Sequence, residues 1–177
     1  MARKALGRIF DLVVGVLPLD LQTARTGDYV SLKNAGHVTV VVIKGAGTDG
    51  DDPTFTFNQA TTVAGGSAKG LDVDGGNGID EYWEKEALTD LTATGVWTRV
   101  TQTIASTVAP GDPSAQSAAV YVFEIDAADL DQANNFDCLS VDVGDVGTNP
   151  QLGAILYILS ELRYPQAPQN LANSIID

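Results

Sequence analysis

The chain has 177 residues, 44% of them hydrophobic, and sets 10 Lys and Arg against 23 Asp and Glu for a formal charge of -13. That length suits one domain with an arm at either end, and so acidic a surface repels phosphate backbones, which argues against nucleic acid as a partner. Cys138 is the only cysteine, so no intrachain disulfide exists and a reducing compartment suits the chain; no apolar stretch has the uninterrupted length a membrane helix needs, so no membrane partner is expected.

The first residues, MARKALGRIFDLVVGVLPLDLQTA, place positive charges before an apolar stretch as a signal peptide does, but Asp11 interrupts that stretch and Pro18-Leu19-Asp20 follows it. Arg3, Lys4 and Arg8 are the one basic cluster, suited to a solvated terminus or to a clamp on an acidic partner. Between Gly7 and Gly15 the pattern fits a short helix, a strand or an extended arm alike, and residues 1–27 read as an N-terminal arm. Residues 28–164 read as a β-sandwich domain. Tyr29 to Leu32 and the β-branched run His37 to Lys44 (HVTVVVIK) read as a hairpin turned at Asn34-Ala35-Gly36. Val38, Val40 and Val42 face one way and Thr39, Val41 and Ile43 the other. Both faces are largely apolar, so cover on both sides is expected.

Gly45 to Pro53 is a loop by composition, Thr54 to Gln59 alternates about Phe55 and Phe57, and Val63 to Gly78 is a long glycine-rich loop. Ile79 to Glu86 and Trp97 to Ile104 are further strands, with Tyr82 and Trp83 on opposite faces of the first. Ala119 to Ile125 is another. Asp126 then caps a single helical turn to Asp131. Phe136 to Val143 and the most apolar segment, Gly153 to Arg163, complete the set, ended by Tyr164-Pro165 because proline cannot donate to a ladder. Residues 165–177 read as an extended tail. Roughly seven to nine short strands with turns between them predict an all-β, antiparallel sandwich, with the jelly roll as one member of that class.

Catalytic constellations are hard to assemble from this composition. A Ser-His-Asp or Cys-His arrangement would have to use His37, the only histidine, which opens a strand after a glycine turn. One Cys and one His make a zinc site remote, and no phosphate-binding or dinucleotide glycine motif appears. The densest oxygen cluster is Asp72, Asp74, Asn77 and Asp80 in a glycine-rich loop, a candidate for calcium or for a plain hairpin turn. It departs from the helix-loop-helix calcium pattern, since Trp83 stands where the bidentate glutamate is needed. No cofactor is therefore expected. The pairs Asp80/Glu81 and Glu84/Glu86 read as solvated acids of a chain rich in them, and Tyr82, Trp83 and Trp97 as core packing in preference to a sugar-stacking platform.

Four segments carry a resemblance: FTFNQATTVAGGSAKGL from Phe55, LTATGVWTRVTQTIA from Leu91, VYVFEIDAADLDQANNFDCLSVDVGDVG from Val120, and QLGAILYILSELRYPQAP from Gln151. Residues 54–164 resemble small structural proteins of tailed bacteriophage particles, of the capsid decoration or cement type. The matching motifs are structural, and the first fifty residues match less clearly. The resemblance implies a non-enzymatic protein of the virion's outer surface, a homotrimer that bridges neighbouring major capsid subunits. Its contacts would come from the two terminal arms, with Arg3, Lys4, Arg8, Arg163 and Tyr164 as the interface residues. Another virion component (tail, fibre, vertex or minor capsid protein) and a carbohydrate-binding β-module are the alternatives.

Overall fold

Period-two burial runs through most of the chain, and it makes strands. The computed structural model describes residues 6–86, 95–111 and 117–171. Eleven strands follow in chain order: β1 (Phe10–Asp20), β2 (Val30–Ser31), β3 (His37–Lys44), β4 (Phe55–Ala60), β5 (Lys69–Gly70), β6 (Ile79–Lys85), β7 (Thr98–Ala105), β8 (Thr107–Val108), β9 (Ala119–Asp126), β10 (Cys138–Val143) and β11 (Leu152–Ser160). The protein is an all-β antiparallel sandwich. One sheet has the order β1-β11-β3-β9-β6-β7; the other has β2-β10-β4-β5, with β8 also on β4. Leaving aside the excursion β5 to β7, strands β1-β11-β3-β9 face β2-β10-β4-β8, with successive strands crossing between sheets. That is the order of two interleaved Greek keys, a jelly roll. The excursion closes the β4 edge with β5 and adds the β6–β7 hairpin beyond β9.

The core is aromatic. Phe55, Phe57, Tyr121, Phe123 and Tyr157 are fully buried, and the Phe57 and Phe123 rings meet edge-on at 4.8 Å between centroids. Tyr82 lies 5.3 Å from Phe123, so the added hairpin is pinned to the jelly roll by a core residue. Tyr157 also accepts a hydrogen bond from the backbone N–H of Val141 at 3.0 Å, tying the two sheets together. A Cβ at Gly15 would stand 2.4 Å from the Tyr157 ring, so β1 can cross that ring only as glycine.

Several expectations change. Residues 10–20, read within an N-terminal arm, are an integral edge strand: β1 pairs with β11 from Phe10 to Asp20, with register shifts beside Val16. The reason is apolar burial, since Val16 is 5% exposed and Val13 and Leu19 pack against the core. Tyr29–Leu32 and His37–Lys44 are not a hairpin, because β2 pairs with β10 and β3 with β11 and β9. Ala35 is buried, so the intervening turn is a corner between sheets. The last strand ends at Ser160, before Tyr164-Pro165: Glu161 takes φ +53° and the Arg163 N–H returns to the Asn34 carbonyl at 2.9 Å. Asp126 does cap a single turn, Ala127–Asp129, and its own N–H donates to Asp129 Oδ2 at 2.9 Å.

Candidate interaction surfaces

The two sheets present unlike outer faces. On the β2-side sheet the outward positions are polar except at the Ala60–Cys138 pair, with Asn58 Nδ2 donating to Asp142 Oδ2 at 2.9 Å and Thr56 meeting Thr107. An antiparallel sheet with one wet face alternates in this way. The six-stranded sheet breaks the alternation. One cross-strand row reads Val14, Leu156, Val41, Val122, Trp83, ending on Arg99 at β7. The rows beside it add Ile158 and Leu12 on one flank and Ile43, Val120 and Ala154 on the other. Cover on both sides of β3 was expected, but among the described residues no second layer lies over this face. Ile43 is 44% exposed, Leu12 49% and Trp83 40%.

The tryptophans differ from their expected place as well. Tyr82 is buried as core, but Trp83 and Trp97 are both exposed, because Trp83 pairs with Val122 on the outward side. With Val122 they line a shallow apolar hollow of about 340 Å³, and Lys85 Nζ lies 5.2 Å from the Trp97 ring centre, within cation–π range.

Charge sits at the margins of this face. His37 Nδ1 lies 2.7 Å from Asp126 Oδ1, and Nε2 lies 2.6 Å from Glu124 Oε2. Thr39 Oγ1 donates to the same Glu124 oxygen. Partial burial pulls the imidazolium pKa down, but the hydrogen bonds and charges of Asp126 and Glu124 outweigh it and hold His37 above its ordinary value. At the β7 margin Arg99 is bonded to Glu81.

Among the described residues no three His, Cys, Asp or Glu side chains converge as a metal site. The four calcium candidates are spread through their loop. Asp72 accepts from the Ser106 hydroxyl, Asn77 is bonded to Asp129, and Asp74, at φ +48°, and Asp80 are exposed. Glu84 and Glu86 are half-buried instead of solvated. Burial first, then the Glu86 charge, raises the Glu84 pKa, and Glu86 accepts from the Tyr121 hydroxyl at 3.0 Å. Cys138 is buried, with its thiol pushed up to about 12, first by burial, which leaves little thiolate.

Arg3 and Lys4 lie outside the described residues. Arg8, Arg163 and Tyr164 are exposed, and they fall on segments that meet: the Gln166 N–H donates to the Gly7 carbonyl at 2.7 Å. Residues 6–9 and 164–168 therefore run side by side at one end of the β1–β11 edge. Sequence reasoning identified these polar residues but not the outer face, whose signal was the doubly apolar pattern of β3 and β11. No family model and no curated protein matches the chain.

Proposed function

We propose that this chain is a non-enzymatic structural protein of a tailed-phage particle, decorating the outer capsid as a homotrimer and bridging neighbouring major capsid subunits. The observation that carries the reading is the apolar face of the six-stranded sheet, which no described residue covers, on a framework pinned by a buried aromatic core. Contiguous apolar surface of that extent marks an interaction site. The resemblance of residues 54–164 to decoration proteins supplies the setting. In that setting a stiff β-domain resists separation of the shell subunits it spans, and weak contacts accumulate over many copies. The paired termini present Arg8, Arg163 and Tyr164 to the shell, while the acidic remainder of the surface keeps particles apart.

Particle binding tests this. Purified protein mixed with expanded shells should occupy every equivalent position on the lattice, as seen by cryo-electron microscopy. Occupancy confined to the tail or a single vertex would move the protein to another virion role, and no binding to shells would remove the reading.

A carbohydrate-binding role is the second reading, favoured by one observation: Trp83 and Trp97 are exposed around an apolar hollow, as a sugar-stacking platform requires. Glycan-array binding that disappears in Trp83→Ala and Trp97→Ala would establish it.

A further inference from the structure

We infer that the outer face of the six-stranded sheet is covered by a second copy of this chain. The first argument is charge. A molecule with a formal charge of -13 repels its own copies over most of its surface. The Val14-to-Trp83 row and the Ala154, Ile43 and Val120 row beside it carry no acid, whereas the Leu12, Ile158 and Thr39 row on the other flank runs onto Glu124. The acids nearest that band are already engaged, Glu124 and Asp126 by His37 and Glu81 by Arg99. Two copies meeting along those two rows bring only ion-paired acids near the contact.

The second argument is area. Six strands at ~4.8 Å spacing and ~3.4 Å per residue make a face of about 24 Å by 20 Å, ~500 Å² per copy. Two such faces reach the ~1,000 Å² expected of a biological interface. Sheets packed face to face sit ~10 Å apart and interlock their side chains. The hollow between Trp83 and Trp97 then receives an apolar side chain from the facing copy. A self-complementary face closes as a two-fold pair, and three copies can also bury it by lining a three-fold axis with it.

The inference shares its apolar face and its self-association with the virion reading, and the tests separate them: that reading is tested on shells, this one on the free protein. The full chain is followed by light scattering over a wide dilution series against its 18.5 kDa monomer mass. Expected is a mass of two or three chains. In Ile43→Glu, and separately in Trp83→Glu, the mass should fall to one chain with an unchanged β-type circular dichroism spectrum. Wild-type protein that stays monomeric throughout overturns the inference, and so does an oligomer that survives both substitutions in folded form. Should neither variant fold, the wild type decides alone. Its tryptophan emission should shift red as dilution separates the copies, and an oligomer that dissociates without that shift uses another surface. A monomer whose tryptophan emission responds to soluble oligosaccharides also overturns it, in favour of a sugar.

Discussion

His37 shows how one side chain ties pH to the fold. Both ring nitrogens face carboxylates, at 2.7 Å and 2.6 Å, and only the imidazolium donates at both. Its folded pKa lies above the ordinary 6.5, so its contribution is complete below the unfolded value and fades as pH rises through the folded one. His37→Gln should therefore cost about 0.5 kcal/mol at mildly acid pH, small because the partners are solvent-screened, and nothing at pH well above the folded pKa. Thermal melts of both proteins across that range check it. Lys44 runs in the opposite sense. Burial, opposed by the charges of Glu86 and Asp52, lowers its pKa to about 8, while Nζ donates to the Ser117 carbonyl at 2.5 Å. Between about 8 and the unfolded 10.5 the unfolded chain binds more protons, so stability rises with pH. Wild type should gain on the order of 1 kcal/mol on Lys44→Met across that window, as read by denaturant melts at each end. Neither site is legible from spacing alone. His37 meets Asp126 and Glu124 only because β3 and β9 pair in this register, and Lys44 ends a run whose alternation continues Val38, Val40 and Val42 into the interior.

At the scale of elements, β1 decides where the molecule begins. Its pairing with β11 covers an edge of the large sheet, and Val16 and Leu21 enter the core. Removing residues 1–9 should leave unfolding cooperative and nearly unchanged. Removing 1–20 exposes β11 and takes Val16 and its neighbours from the core, so circular dichroism should show a lost or strongly weakened transition. A 1–20 deletion that melts like the full chain would place β1 outside the folding unit. Strand positions were readable because β-branched and aromatic residues alternate with little helical periodicity, as in β4, β6 and β9. Strand partners were not. Adjacent runs such as β2 and β3 look like a hairpin locally, yet a jelly roll sends consecutive strands to opposite sheets, and that choice depends on contacts distant in sequence. The same limit concealed β1: an apolar stretch broken by Gly15 and Pro18 reads as an arm until Tyr157 is seen to need that glycine.

Over the whole molecule, an outer face poor in charge and a strongly acidic remainder oppose each other, and ionic strength sets the balance between them. The apolar contact is short-ranged and scales with area removed from water. The repulsion between copies carrying -13 each is long-ranged and is screened as the Debye length falls from ~30 Å at ~0.01 M salt to ~8 Å at ~0.15 M. If two copies meet through the Val14-to-Trp83 band, salt should tighten the association severalfold over that interval, and Ile43→Glu should remove both the association and its salt response. A protein held by complementary charges behaves in the reverse way, dissociating as salt rises, because the attraction itself is screened. Sedimentation equilibrium at the two ionic strengths separates the cases. Tightening with salt supports burial of the apolar face, whereas loosening would assign the contact to ionic groups such as Arg8 and Arg163 at the joined termini, and would leave the outer face for a partner other than a second copy.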